Sequence, residues 1–284
     1  MSVAFKDPET NMNFILAHED YFVIGWLIII FSLEQIKQRF FVPTVKDGGL
    51  HRWIKNSVFG IVNRLLGPIL MLPIIVWATT LDAWHRPEWM FSVSTLIVGI
   101  MILDLSSYWF HRLSHKIPFL WRFHEIHHLD SAFDTTTGLR IHFGELVLQN
   151  FFRIIPIIAF SISLKAVLIF EVILIIEGLF HHSNVCISEK LESVLSCIII
   201  TPNRHCVHHH AVVRDTDSNY GFIFVWWDKI FGSFNKAKRK NTWHIGLEYA
   251  PDLGCMKLLI SPFIFRKLKK RMRLKGYKIA RDVS

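Results

Sequence analysis

Motifs for the common redox cofactors are missing from this sequence of 284 residues. There is no Gly-x-Gly-x-x-Gly fingerprint for a dinucleotide and no Cys-x-x-Cys-His motif for an attached haem. The four cysteines form no Cys-x-x-Cys pair, which argues against a disulfide framework and favours a reducing compartment. If the protein carries out redox chemistry, its electrons must therefore come from a separate donor.

A cleavable targeting signal is also missing from the start of the sequence. Residues 1–20 are polar and carry mixed charge, without a basic segment or a small-residue cleavage site. No internal repeat or low-complexity segment follows. We therefore expect no cleaved signal peptide.

Apolar residues are abundant and fall in long blocks, which is typical of an integral membrane protein. They make up 51% of the chain. The net charge of +9 would suit a nucleic-acid-binding protein, but here it has a nearer explanation. Basic residues gather at the cytoplasmic ends of membrane helices and near anionic headgroups. We therefore expect a membrane lipid, and no nucleic acid, as a partner.

Four apolar stretches predict the membrane passes. Residues 21–33 are short for a complete span, whereas residues 57–81 and 91–110 are long enough. Residues 144–180 are too long for one pass, and the break at 161–165 predicts a helical hairpin. The predicted fold class is all-α, with about four or five transmembrane or re-entrant helices and a cytoplasmic helical cap. Glu171 and Glu177 in the hairpin are expected either to be functional or to pair with Lys165.

The distribution of basic residues predicts the orientation. The connection between the first two passes is basic, whereas the 82–89 loop carries only Arg86 as a fixed positive charge. By the positive-inside rule the basic connection is cytoplasmic, and so are the later polar segments and the C-terminus. The chain then divides into N-terminal membrane helices (1–90), a histidine-rich domain (91–235) and a basic cytoplasmic tail (236–284). Such a protein would lie in a bacterial inner membrane or in the endoplasmic reticulum.

Histidines are concentrated in one region, since twelve of the sixteen lie between residues 111 and 210. Eight of them form three clusters whose spacings of three or four residues would place each cluster on one helix face. The clusters are His111 and His115; His124, His127 and His128; and His205, His208 and His209. Eight imidazoles exceed the needs of one tetrahedral zinc ion and suit two metal ions, although the ligand type does not identify the metal.

The central cluster also allows a second interpretation. His124-Glu125-Ile126-His127-His128 satisfies the His-Glu-x-x-His pattern of zinc proteases, in which the glutamate is the general base. An intramembrane zinc metalloprotease of this kind would leave the first and third clusters without a role.

A longer pattern surrounds the clusters across residues 100–235. In chain order it contains Asp104, Tyr108-Trp109-Phe110-His111-Arg112-Leu113-Ser114-His115, Arg140-x-His142, His182-Ser183-Asn184, Thr201-Pro202, Asn219-Tyr220-Gly221, Trp227-Asp228 and Phe231-Gly232. Together with the clusters, these motifs resemble the fatty acid hydroxylase/sterol desaturase superfamily of membrane proteins. The overall pattern is most similar to a group that includes alkylglycerol monooxygenases and bacterial members.

The resemblance implies a di-iron centre on the cytosolic face that uses dioxygen to hydroxylate, desaturate or cleave a lipid of fatty acyl, sterol or alkylglycerol type. It implies that the eight clustered histidines are ligands, with His182 as a ninth and His181 as its alternative. His142 is a possible additional ligand, although Phe143-Gly144-Glu145 stands where many members have Pro-x-Glu. Five acids are candidates for orienting the ligands or, equally, for capping and surface roles: Asp104, Glu125, Asp130, Asp134 and Asp228.

No catalytic group beyond the metal centre is implied. The electrons would come from an electron-donor protein, another reductant or a pterin, and the sequence does not indicate an oligomeric state. The alternative from a different class is a non-catalytic membrane protein that binds a metal ion or a lipid. Oxygen consumption would distinguish the two.

Overall fold

The computed structural model describes residues 18–36, 49–81, 93–247 and 250–274, and its regular secondary structure is helical. Outside the helices these residues form only isolated β-bridges, such as the one between Ile199 and Phe224. The predicted all-α class is therefore confirmed. The α-helices are α1 (Glu19–Ile36), α2 (Leu50–Thr80), α3 (Val93–Lys116), α4 (Pro118–His128), α5 (Phe143–Ala159), α6 (Leu164–His181), α7 (Glu189–Leu195), α8 (Pro202–His208), α9 (Val213–Thr216), α10 (Trp226–Ile230), α11 (Cys255–Ile260) and α12 (Phe265–Leu274). A 3₁₀ helix, Thr135–Leu139, lies between α4 and α5.

The long helices α1, α2, α3, α5 and α6 form the body of the protein. Helix α2 packs against α5, α3 lies against both α5 and α6, and α1 contacts α6. Apolar side chains from four of these helices meet in one buried cluster, which includes Ile75, Leu103, Ile157 and Phe170. This cluster holds α3 in place, and α3 carries the first pair of histidines near its C-terminal end.

Helices α5 and α6 form the hairpin that the sequence predicted. Helix α5 ends at Ala159, and Ser161 adopts a positive φ of 46°, which reverses the chain. The Oγ of Ser163 then accepts a hydrogen bond from the backbone N–H of Ala166 at 3.2 Å and caps the start of α6. The polar break thus separates two helices.

A charged pair links the two helices of this hairpin. Arg153 on α5 donates from Nη1 to Oε1 of Glu171 on α6 at 2.5 Å, and from Nε to the Oγ of Ser107 on α3 at 3.2 Å. Glu171 therefore has a cationic partner on α5, and its alternatives of a functional role, a pairing with Lys165 or an interfacial position stay predictions. Glu177 is buried four residues before His181.

Two helical stretches, Leu50–Thr80 and Thr95–Lys116, are long and apolar enough to cross a membrane. Only 17% of the apolar window in the first is buried inside the protein, so most of its apolar side chains need another cover. Exposed apolar residues on neighbouring helices, such as Ile28 and Ile155, extend this surface. Lipid is the cover that fits this pattern. The other predicted passes stay predictions, and the 82–89 loop lies outside the described residues.

Part of the basic C-terminal segment is attached to the rest of the protein. Leu258 and Phe265 share a buried cluster with Phe59 of α2 and Trp121 of α4. On α12, the buried Lys269 pairs with Glu125 of α4. The domain boundaries at residues 90 and 235 stay predictions.

A buried ion-pair network joins the first turn of α2 to the segment that follows the second histidine cluster. Arg52 donates from Nε to Asp130 at 2.6 Å and from Nη1 to Asp134 at 2.5 Å. Burial alone would raise the pKa of Asp130, but the guanidinium groups of Arg52 and Arg140 outweigh it and lower the pKa to about 2. The network therefore fixes the exit of α4 and the 3₁₀ helix beneath the histidines.

Removing the cation from this network should destabilise the fold. Arg52→Met leaves the buried Asp130 carboxylate without its main partner, which costs about 3–5 kcal/mol. Arg64→Met is a matched control, because Arg64 lies on the same helix and pairs with Glu19, but its side chain is 46% exposed. An exposed pair contributes less than about 1 kcal/mol. Unfolding in one detergent, followed by helical circular dichroism, should show a clearly lower midpoint for the Arg52 variant alone. Equal midpoints would contradict this assignment.

Candidate metal centre

The three histidine clusters lie on helix ends that converge on one buried region. His111 and His115 lie near the C-terminal end of α3, and the second cluster occupies the last half of α4. His205 and His208 lie on α8, and His209 and His182 are the residues that follow α8 and α6. All nine of these side chains are buried. Helical spacing therefore does bring the members of each cluster together.

Proline residues set the starts of the two short helices that carry most of these histidines. Pro118 begins α4 one residue after Ile117, so the chain cannot continue α3 and instead turns back. Pro202 begins α8 in the same way, and the Oγ1 of Thr201 accepts from the N–H of Arg204 as its cap. Each turn directs a histidine cluster toward the end of α3.

The imidazoles separate into two groups of possible ligand nitrogens. Within each group these nitrogens all lie within 4.8 Å of one another. The first group, called group A, contains His111, His115, His124, His128 and His208. The second, called group B, contains His127, His182, His205 and His209. The second and third clusters each contribute to both groups, so α4 and α8 both supply histidines to each group.

Hydrogen bonds at one ring nitrogen leave the other nitrogen of several group A histidines as a lone pair. The Nδ1 of His111 lies 2.8 Å from the carbonyl oxygen of Tyr220, and that of His208 lies 2.8 Å from the carbonyl of Ser218. Because a carbonyl can only accept, Nδ1 carries the proton in both rings. The Nδ1 of His124 likewise donates to Oε1 of Glu145 at 2.6 Å. Their Nε2 atoms are then unprotonated in the neutral rings.

Two such lone pairs face each other at close range in group A. The Nε2 atoms of His111 and His124 are 3.1 Å apart, and in the neutral rings neither of them carries a proton. The Nε2 of His128 is also 3.1 Å from that of His124. Facing lone pairs repel each other unless a cation lies between them. A metal ion is the cation that neutral imidazoles bind.

Group B brings ring nitrogens equally close, and the tautomer of His182 is fixed by a hydrogen bond at its Nδ1. His182 donates from Nδ1 to the carbonyl of Gly178 at 2.6 Å, and its Nε2 lies 2.9 Å from the Nε2 of His205 and 3.0 Å from that of His127. Burial lowers the pKa of His182 to about 4 and also lowers the pKa of His127 and His205, so these rings are neutral. The donor set of both groups therefore fits metal ions that bind nitrogen.

The structure distinguishes the ninth histidine from its neighbour. His182 belongs to group B, whereas His181 belongs to neither group, although its ring lies 4.2 Å from that of His205 between centroids. His142 also lies outside both groups. Its Nδ1 accepts from the N–H of Gly144 at 3.0 Å and its Nε2 donates to the carbonyl of Leu259 at 3.1 Å, so it caps α5 instead.

Asp228 and Asp104 hold the loop that supplies the carbonyl acceptors. Asp228 accepts from the N–H groups of Tyr220 and Gly221 at 2.8 and 2.9 Å. Asp104 of α3 accepts from the N–H of Ile223 at 3.1 Å and from the indole of Trp227 at 2.8 Å. Both acids act one step away from the rings, because they fix the backbone to which His111 donates.

The other three candidate acids are engaged elsewhere. Asp130 and Asp134 bind Arg52, and Asp134 also caps the 3₁₀ helix. Glu125 pairs with Lys269 of α12. The acid of the His-Glu-x-x-His pattern is therefore held by a cation, which a general base in a zinc protease would not be.

Two acids that contact histidine rings were missed in the sequence. Glu145 is the partner of His124, and Asp217 lies 3.4 Å from the Nδ1 of His115. The signal for Glu145 was present, because the sequence keeps the glutamate of the Pro-x-Glu motif after His142 while losing its proline. Asp217 follows the third cluster without a recognisable spacing.

A third missed acid is Glu34 of α1, which is buried. Its Oε1 accepts from the N–H of Thr135 at 2.9 Å and from that of Asn184 at 2.6 Å. It therefore connects the 3₁₀ helix to the segment directly after His182. The sequence signal for a buried role of Glu34 was its position at the end of an apolar run.

Comparison with known proteins identifies the class to which this arrangement belongs. The fatty acid hydroxylase family model matches residues 96–233, which include all nine histidines of groups A and B. These residues are similar to the fatty acid hydroxylase family, and the resemblance to the fatty acid hydroxylase/sterol desaturase superfamily is confirmed.

Individual relatives act on different lipids, according to their names. The chain is 29% identical over 168 residues to an ornithine lipid hydroxylase from Rhizobium tropici, covering 59% of this chain and 50% of the relative. It is 27% identical over 244 residues to an alkylglycerol monooxygenase from Danio rerio, covering 81% and 50%. It is 24% identical over 223 residues to a cholesterol 25-hydroxylase from Rattus norvegicus, covering 75% and 74%. The chain thus spans about half the length of the first two relatives. No solved structure matches it significantly.

Removing Glu145 should loosen metal binding at group A. Glu145→Ala leaves the Nδ1–H of His124 without its acceptor, and losses of such partners typically weaken metal affinity by about 10–100-fold. Glu189→Ala is a control that removes an exposed acid far from either group. Metal retained per chain should be measured against increasing chelator. Identical retention by both variants would show that Glu145 does not support a metal ligand.

Proposed function

We propose that this protein is a membrane-bound oxygenase that holds two iron ions and hydroxylates a lipid. The observation that carries the proposal is the pair of histidine groups, in which the possible ligand nitrogens of buried imidazoles lie within 4.8 Å of one another. The names of the relatives support the reaction class, because each is a hydroxylase or a monooxygenase.

Two ions fit this arrangement better than one. Five nitrogens in group A and four in group B exceed the needs of a single ion. Imidazole also binds zinc, copper and nickel, so the choice of iron rests on the superfamily. When bound, the iron ions would supply the activation of dioxygen. His111, His115, His124, His128 and His208 would hold one ion, and His127, His182, His205 and His209 the other.

The chain's own contribution is to position the rings and to keep water out. Carbonyls and carboxylates fix the rings through Nδ1, so that Nε2 is presented to each group. Aromatic rings close the surroundings: Trp121 lies 5.1 Å from the His115 ring, and Phe133 lies 5.3 Å from the His209 ring. Buried surroundings that exclude water suit a reaction that must not lose its oxidant to water.

Hydroxylation is favoured over desaturation, and the lipid class is left open. Three relatives carry three different lipid names, but all three names describe oxygen insertion. The reaction class is thus supported more strongly than any one substrate. The two electrons needed per turnover would come from a separate protein, another reductant or a pterin.

Both alternatives are less well supported. In the zinc metalloprotease, Glu125 would need to approach a bound water, but it is paired with Lys269. It would also leave five histidines of the other clusters unused. A non-catalytic metal-binding or lipid-binding protein would need neither two histidine groups nor their burial.

Turnover should depend on the two groups and not on histidine content in general. Cells that produce the protein should contain lipids heavier by one oxygen atom than those of a deletion strain, and His128→Ala should abolish this difference. Purified protein should carry about two iron ions per chain. Comparative lipid mass spectrometry and elemental analysis provide the two measurements.

His210→Ala is a matched control for this experiment. His210 follows the third cluster directly, but it bonds Asp215 and stacks on Trp243 outside both groups. Its replacement should leave the oxygenated lipids in place. Two results would favour the protease. One is a fully active protein that contains a single zinc ion per chain. The other is a complete loss of activity in Glu125→Gln while both metal ions are retained.

We further propose that both groups face the cytoplasm. Single cysteines in a cysteine-free chain should report this from exposed positions: Lys116 and Lys238 on the histidine side, and Thr80 at the other end of α2. In intact cells an impermeant thiol reagent should label the cysteine at Thr80 only, because the positive-inside rule places the basic side within. Permeabilised cells should label all three. Labelling of Lys238 but not Lys116 in intact cells would refute a shared compartment.

A further inference from the structure

Helix α12 and the turn before it combine exposed cations with exposed apolar side chains. Its sequence, Phe-Arg-Lys-Leu-Lys-Lys-Arg-Met-Arg-Leu, contains no acid. Arg266, Lys267 and Lys270 are exposed, and directly before the helix Phe263 and Ile264 are exposed as well. Such a combination is typical of helices that lie at a membrane surface.

The opposite face of α12 is anchored in the protein. Phe265 and Lys269 are buried and lie four residues apart, so they share one face of the helix. Phe265 joins the apolar cluster around Trp121, and Lys269 pairs with Glu125 of α4. The orientation of the exposed cations is therefore fixed by contacts with the helix that carries the second histidine cluster.

A cavity of about 470 Å³ opens between the start of α12 and α4. It is lined by Arg122, Phe263, Ile264, Phe265, Arg266 and Lys267. The guanidinium of Arg122 lies 5.2 Å above the ring of Phe119 and 5.7 Å above that of Phe265, and its buried Nε has no hydrogen-bond partner among the described residues. Three cations and no acid line the cavity, which suits an anion beside apolar groups.

We propose that this surface binds the phosphate headgroups of anionic phospholipids in the surrounding bilayer. The α12 surface is defined by Arg122, Phe263, Ile264, Arg266, Lys267 and Lys270. Its cations attract the headgroups, and its apolar residues lie at the boundary with the acyl chains. The apolar residues favour a lipid over a nucleic acid, which would need cations alone. One face of α12 thus contacts lipid while the other contacts α4.

The test uses the purified full-length chain in a neutral detergent, with phosphatidylglycerol or phosphatidylcholine added in increasing amounts. Native mass spectrometry then counts the lipids retained per chain. Phosphatidylglycerol should bind more tightly than phosphatidylcholine. A triple variant, Arg266→Gln, Lys267→Gln and Lys270→Gln, should bind phosphatidylglycerol roughly a hundredfold more weakly, since each basic residue near an anionic surface contributes about fivefold.

A second triple variant controls for the loss of charge in general. Lys236→Gln, Lys238→Gln and Lys240→Gln remove the same three charges from another exposed segment and should leave phosphatidylglycerol binding unchanged. The single change Arg122→Gln, which leaves α12 itself intact, should weaken binding about fivefold. Circular dichroism confirms that each variant keeps its helices.

Several outcomes would overturn the proposal. Equal losses in the two triple variants, or no loss in the α12 variant, would remove the α12 surface as the binding site. Equal retention of phosphatidylcholine would show that charge does not matter. Displacement of phosphatidylglycerol by millimolar inorganic phosphate would show a site for a free anion. The assay needs neither metal nor turnover, so its result is independent of the oxygenase proposal.

Discussion

The close approach of nine buried imidazoles is the constraint on which the centre of this protein depends. Burial keeps rings such as His127, His182 and His205 neutral, and carbonyl acceptors direct the Nε2 of His182 inward. Without a cation, the Nε2 atoms that lie 2.9 to 3.2 Å apart can interact only through N–H···N hydrogen bonds, in which each neutral ring donates at most one proton. With a metal ion in each group, the same geometry becomes the main attraction between α4, α8 and the end of α6. Metal binding and the final packing of the domain are therefore coupled.

The histidine rings of the two groups differ in whether a hydrogen bond at Nδ1 fixes their orientation. His111, His124, His182 and His208 each donate from Nδ1 to a fixed acceptor. In contrast, Nδ1 of His127, His128, His205 and His209 carries no hydrogen bond within the described part of the chain. The first set is oriented before any metal arrives, whereas the second set depends on its Nε2 for orientation. Each group contains both kinds, so each metal ion would find a partly assembled site and complete it.

The sequence was sufficient to predict structural features that depend on residues close together in the chain. Histidine spacing predicted which rings share a helix face, and the polar break near Ser161 predicted where α5 ends. The partners that orient the rings were not predictable in this way. Glu145 is 21 residues from His124, Glu34 is 150 residues from Asn184, and Lys269 is 144 residues from Glu125. No periodicity links such positions, so only the packing of the helices brings them together. His142 shows the converse case. Its position in the motif suggested a possible metal ligand, but in the structure it caps helix α5.

The positive charge of the chain also divides into two physically different sets. Arg52, Arg140, Arg153 and Lys269 are buried and paired with acids, so they position helices around the histidines. The exposed cations Arg266, Lys267 and Lys270 lie on a helix that contains no acid, close in sequence to the exposed Phe263 and Ile264. Net charge alone cannot separate these sets, because a buried cation and a surface cation count equally. Their different surroundings separate them. Removing one partner of a buried pair leaves an uncompensated buried charge and destabilises the fold. The exposed cations instead act together, because each adds to the attraction for an anionic surface. The net positive charge of this protein thus combines buried cations that hold helices in place with surface cations that attract anions.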